Sequence, residues 1–452
     1  MTAVLDFPVK PEARDYLARF ARDASEPGWL AARRQQAMTR FAELGFPSRK
    51  SESWRYLDLQ PLERQPLLPA HAAPRTDAAA LRARLLDLSL SGGASRLVLV
   101  DGRFAPDLSS VERRDGVWFG ATAEAMRERS DLVRAAIEEV AGEAAQPFAA
   151  LNTAFFADGY VLAIEPGIVL ERPVEIIHLA SGAGAASFHT RSLVMLGEAS
   201  RASILETYAG PRDRPSSGPR TGSVRYWRND VVAVRLADGA ELSRTVAVEE
   251  AAEAVHLAHL DAILGNHSRF SGFVLLLGGR RARHEANVLM AGEAGRCRLD
   301  GGFLVGGSDE ANIVTVVDHA APGGQTRELI KGVAADRGHG AFQGCIIVRE
   351  GAQKTDANQL SRNLLIGRRA AIDTKPELEI YADDVKCSHG ATVGDLDQTA
   401  LFYLRTRGIS AEEARRMLIE GFLREAVEQI ADRAVRDHLL RRLAGRLGTL
   451  EE

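Results

Sequence analysis

The sequence predicts a mainly β protein: a right-handed parallel β-helix core over residues 91–395, flanked by helical regions at 1–90 and 396–452. Three observations carry this. Between Arg96 and Gly394 the chain is a series of strand-length runs rich in Val, Ile and Leu, among them RLVLV, VEIIHLAS, NDVVAVRLA, FVLLLGG, ANIVTVVDH and CIIVRE. Short turn clusters such as GEAS, DGAE, GNHS, GEAG, DRGHG and EGAQ separate them, and from about Leu264 they recur every 13 to 18 residues. Long helical patterns are scarce in this stretch and clear on both sides of it. Recurrence without interleaved helices fits stacked coils, each burying its apolar face against its neighbours. A β-sandwich is the second choice, but a core of this length is long for one sandwich. A left-handed hexapeptide helix needs a strict six-residue aliphatic repeat, which is absent.

In chain order, ARDYLARFARDA and EPGWLAARRQQAMTRFAELG place apolar residues at helical spacing, and Gly45 with Pro47 predicts a helix stop. Leu67 to Thr76, rich in Pro and Ala, reads as a linker. Within the β region, GPRDRPSSGPRTGSVRY, Gly210 to Tyr226, reads as a mobile surface loop. After Asp397, QTALFYLRTRG is a short helix closed by Gly408. A longer helix follows, opened by the S-x-x-E pair Ser410 and Glu413, with Ala414, Met417, Leu418, Phe422, Ala426 and Ile430 along one stripe. The final helix, RAVRDHLLRRLAGRL, is amphipathic and basic. These helices either pack on the parent core or dock in a partner's groove.

Bulk properties exclude several classes. The 452 residues carry a net charge of -4, so nothing draws the chain broadly to nucleic acid or an anionic membrane. No window suits a bilayer span, and the first residues lack a secretory pattern, so the expected compartment is cytoplasmic. Cys297, Cys345 and Cys387 are the 3 cysteines; no CxxC spacing occurs, which argues against a disulfide framework or a self-contained zinc site. Arginine outnumbers lysine 51 to 6, yet Lys331, Lys354, Lys375 and Lys386 fall close together. Lysines that survive such a bias point to places where a compact ammonium is needed.

Among candidate motifs, HEANV lacks the second histidine of a zinc-protease helix. His256 and His259 would face opposite sides of a strand, and Asp318-His319 has no nucleophile at an interpretable spacing. No glycine-rich phosphate loop is present, so nucleotide hydrolysis would belong to a partner. Cys345, in FQGCIIV, reads as a buried thiol, and Cys297 lies between two arginines with nothing else to support a role. DDVKCSHGATVG stands apart: on a strand, Cys387 and His389 share one face. Two donors cannot close a metal site. The pair is either half of one or a thiol beside a hydrogen-bonded imidazole, and local chemistry leaves both open.

Three long motifs carry a resemblance. AQKTDANQLSRNLLIG, DTKPELEIYADDVKCSHGATVGDLDQTALFYLRTRGIS and GFPSRKSESWRYLDL resemble the SufB/SufD family of iron–sulfur cluster assembly proteins, on its SufD branch. The resemblance implies a right-handed parallel β-helix with helical flanks and no catalytic residues. It implies a scaffold subunit that pairs with a SufB-like homologue and binds a SufC-like ABC-type ATPase, with a homodimer in isolation as a further possibility. It implies a transient iron or iron–sulfur cluster shared with the SufB-like chain and none held permanently by this chain alone. His389 aligns with the family's junction histidine and Cys387 with its neighbouring cysteine, so the two form a half-site. The ATPase-docking region corresponds to Gly408, Ile409, Met417, Leu418 and Phe422. Two alternatives remain: a purely structural β-helix partner in which Cys387 and His389 only pack, and a carbohydrate-active β-helix enzyme, which would need clustered carboxylates.

Overall fold

A computed structural model of the chain describes residues 9–21, 26–69, 77–90, 95–138, 146–182, 184–211 and 225–448. Most of the predicted linker at 67–76 and of the loop at 210–226 lies outside the described residues. The β region is a parallel solenoid of about 8 turns. From Tyr160–Ile164 onward, successive strands alternate between a 9-stranded and a 10-stranded sheet, so each coil contributes one strand to each. Arg281 faces Glu310, and Glu310 faces His339, a step of 29 residues per coil. The turn clusters in the sequence recur at half that distance because every coil contains two arcs. Inward residues of both sheets fill the lumen: Ile176, Ile204, Val234, Leu264, Phe270 and Val288 are fully buried in one continuous cluster. Stacking like positions of successive coils removes each apolar face from water.

Three helices, not expected within the β region, interrupt the first coils, at Thr122–Glu128, Ser130–Glu138 and Pro147–Phe155. Every residue from Pro147 to Ala154 is buried. A helix apolar on all sides shows no stripe, so periodicity gives no signal. It packs under the N-terminal helix Gly28–Leu44, within an aromatic cluster of Tyr16, Phe41, Phe46, Trp54, Phe148 and Trp227. That N-terminal helix ends where expected, at Gly45, whose φ of 66° favours glycine.

The C-terminal helices run Gln398–Thr406, Ala411–Val427 and Arg433–Leu447. Ser410 caps the second: its Oγ accepts from Glu413 N at 3.1 Å. Glu413 turns instead to Arg416, so only half of the predicted capping box forms. Ala414, Ile419, Leu423, Ala426 and Val427 are buried on this helix, and the last four join a cluster with Leu275, Leu304, Val333, Leu439 and Leu443.

The two ends of the solenoid differ. At the first coil, Arg96–Val100 is flanked by the antiparallel two-residue strand Arg103–Phe104, and Val117–Ala121 closes the other sheet by pairing antiparallel with Tyr160–Ile164. At the last coil, Ala371–Ile380 and Lys386–Gly394 end their sheets, each paired on one side only.

Candidate functional site

Lys386–Gly394 is a strand, the condition under which Cys387 and His389 share a face. It pairs in parallel with Asp356–Ile366, which places Cys387 over Ala357 and His389 over Gln359. Ala357 and Gln359 are inward-facing and fully buried. Cys387 and His389 therefore occupy lumen positions, but no further coil covers them. Cys387 is half-buried against a small apolar cluster with Ile346, Val348 and Ala382. His389 is exposed. Burial first, then the Asp356 carboxylate, pushes the Cys387 thiol up, while a backbone hydrogen bond with Ala357 opposes this; the balance keeps it protonated. A thiol in that state is a poorer ligand than a thiolate until a metal displaces its proton. The imidazole needs no such displacement once neutral.

Beneath His389 the lumen is polar. Gln359 Nε2 donates to Glu328 Oε2 at 2.6 Å, and Thr315 Oγ1 donates to the same oxygen at 3.2 Å. Burial pushes the Glu328 carboxyl up to about 7. Gly344 on the facing sheet makes room for the Gln359 amide: a Cβ there would lie 2.1 Å from Nε2. No three His, Cys, Asp or Glu side chains converge as a metal-binding group among the described residues. Cys387 and His389 are two donors at an open end.

Nothing in the local sequence marks Glu328 and Gln359. They are brought under His389 by coil register, from two coils and one coil earlier, and no local spacing carries that signal. The other cysteines separate cleanly. Cys297 is buried, and burial raises its thiol far above the usual range despite the flanking arginines, which point outward. Cys345 is not the buried thiol expected from FQGCIIV. It sits half-exposed on the outer face of its strand, beside Glu377 and Glu379, as Val316 does at the same position one coil earlier. His256 and His259 do face opposite sides: His256 Nδ1 meets Glu250 inside, and His259 Nε2 meets Asp261 outside at 3.0 Å. His319 is buried against Thr326, and Asp318 is paired with Arg349, so neither forms an acid-base pair with the other.

The lysines are structural ties. Lys331 is buried, contacts Glu425 and lies 4.1 Å from the Phe422 ring centroid. Lys354 sits in a left-handed turn, φ 63°, and contacts Asp384; Lys375 bridges Glu52 and Glu377. Lys386 opens the last strand.

The C-terminal stripe is split. Phe422 and Leu418 are half-buried, Phe422 against Lys331 and the core cluster, while Met417 is 43% exposed. Gly408, φ 86°, turns the chain between the first two helices, and Ile409 beside it is half-buried. Phe402 and Tyr403, on Gln398–Thr406, are 69% and 57% exposed. These two extend the outward apolar surface, and nothing in their helical spacing sets them apart from ordinary helix residues.

Comparison with known proteins gives the family. Residues 178–422 match the profile described as SUF system FeS cluster assembly, SufBD core domain, and residues 18–176 match the SufBD protein N-terminal region. The chain is 30% identical to the iron-sulfur cluster assembly protein SufD of Escherichia coli (strain K12), over 91% of this chain and 92% of the relative. It is 26% identical to the SufD of Bacillus subtilis (strain 168), over 94% and 96%, and 27% identical to protein ABCI7, chloroplastic, of Arabidopsis thaliana, over 89% and 83%. The chain belongs to the SufBD family of the SUF iron–sulfur cluster assembly system, and its full-length likeness is to members named SufD.

Proposed function

We propose, on the premise of that membership, that the chain is a non-catalytic scaffold subunit whose open solenoid end pairs with a SufB-like homologue. A cluster would be assembled at the junction. Its iron is cargo, held in passing by donors from both chains: His389 is this chain's main ligand and Cys387 an auxiliary one. The observation that carries the reading is the uncovered last coil. Two parallel sheets stop with one edge of each unpaired, and exposed Ile380, Tyr381 and Val393 surround them. Exposed strand edges beside apolar side chains suit sheet extension by a second chain. Such pairing would cover His389 with the partner's own inward residues and supply the missing ligands.

The C-terminal helices would receive the SufC-like ATPase, through Gly408, Ile409, Met417 and Leu418, with Phe402 and Tyr403 added. Phe422 contributes from beneath, since its ring already rests on Lys331. Among the described residues no helix is long and apolar enough to cross a membrane. The test is complementation of a strain that depends on this assembly system. His389→Ala should abolish cluster assembly while the complex still forms; unchanged assembly would remove the ligand role. Cys387→Ala should give a partial loss.

A further inference from the structure

One register position runs through the lumen from Gly272 to Leu299, Glu328, Gln359 and His389. Leu299 fills it with hydrocarbon. One coil later the same position holds a carboxyl group, and its hydrogen-bond partners, Gln359 and Thr315, carry no charge. Burying a carboxyl without a cation is costly, and an apolar pair would serve packing better. The arrangement has a directional consequence. Only the amide nitrogen of Gln359 can donate to the carboxylate. The amide is thereby fixed with its carbonyl oxygen turned away from Glu328. That oxygen is buried and has no hydrogen-bond partner in the structure, and the next side chain in the column is His389.

We propose that Glu328 and Gln359 are positioning residues for His389: the Gln359 carbonyl oxygen accepts the N–H of one His389 ring nitrogen, and Glu328 holds the amide in the orientation that allows it. The inference rests on the reading of His389 as a ligand. A fixed N–H leaves the other ring nitrogen unprotonated and directed out of the lumen, toward the incoming chain. Hydrogen bonding of one imidazole nitrogen commonly sets which nitrogen meets a metal and how the ring is turned.

The test is the tautomer of His389 in the full chain, labelled with ¹⁵N-histidine and measured at pH 8 by long-range ¹⁵N–¹H correlation. His389→Ala identifies the signals. The wild-type ring should populate one tautomer. Gln359→Met, similar in length but with no acceptor, should return it to the mixture of an unconstrained imidazole and lower cluster assembly about tenfold in the complementing strain. Glu328→Gln keeps the shape and frees the amide to flip, so it should move the ratio part of the way. This second variant carries the test if Gln359→Met does not fold. An unconstrained mixture in the wild type, or an unchanged ratio in the folded variants, would overturn the proposal. The ligand reading fails separately, by normal cluster assembly with His389→Ala.

Discussion

The middle of the solenoid and its last coil use the same architecture and treat polar groups in opposite ways. In the middle, the charge of Glu206 is enclosed and matched. Glu206 accepts from Arg244 Nε at 2.9 Å and meets His178 at 2.9 Å, and Tyr160 and Tyr208 donate to the same carboxylate. Burial works against ionisation there, but Arg244 and the other donors hold the Glu206 carboxyl well below the usual range. In the coils leading to the open end the balance reverses. Glu328 has no cation, its carboxyl is pushed up to about 7, and His389 stands uncovered above it. Buried polarity alone therefore does not mark a site. A satisfied network strengthens a core, whereas the partly satisfied one near the open end is the feature on which the proposed site rests.

Five substitutions would break or sharpen this contrast. Arg244→Ala should have the largest effect, costing about 3–5 kcal/mol in denaturant unfolding, because it leaves Glu206 buried without its cation. Next, Leu423→Ala should cost about 2–4 kcal/mol, since Leu423 is 1% exposed between helix and sheet. As its control, Phe402→Ala on the neighbouring helix should leave stability within about 0.5 kcal/mol and weaken capture of the ATPase instead.

Below Leu423→Ala in size, Glu328→Gln should stabilise the chain at pH 8 by about 1–3 kcal/mol. The sign follows from a folded value raised above the unfolded one. The stability is complete below the unfolded carboxyl's range near 4.5 and is lost as pH rises through about 7. The gain should therefore vanish at pH 4. Asp300, raised by burial to about 6, adds a slope of the same sign that this variant keeps. Equal stability of the two proteins at pH 8 would place Glu328 among the satisfied groups. Val393→Lys should affect folding as little as Phe402→Ala does, within about 0.5 kcal/mol. Val393 is 41% exposed on the unpaired edge, and a charge there should lower the native mass from the paired to the single species.

The same contrast explains what was legible in the sequence. Strand runs and turn clusters revealed the solenoid, because stacking forces every coil to repeat them. Their spacing gave half a coil, since each arc has its own turn. The helix Pro147–Phe155 was hidden by being buried on every side. Cys387 and His389 could be read as sharing a face, because i and i+2 do so on any strand. Their surroundings could not be read. Gln359 and Glu328 share the His389 column through register, and Cys345 is half-exposed because it lies on the outward face of its strand. The apolar stripe of the C-terminal helix was visible, but its division between core and surface was set by which side meets the solenoid.

The most direct measurement is iron and sulfide content of this chain alone and of the complex it forms in cells, for the wild type and for His389→Ala, alongside native mass. The half-site account predicts a cluster on the paired wild-type complex, none on the single chain, and loss from the paired His389→Ala complex. A stoichiometric cluster on the single chain, or an undiminished one on the paired His389→Ala complex, would contradict it.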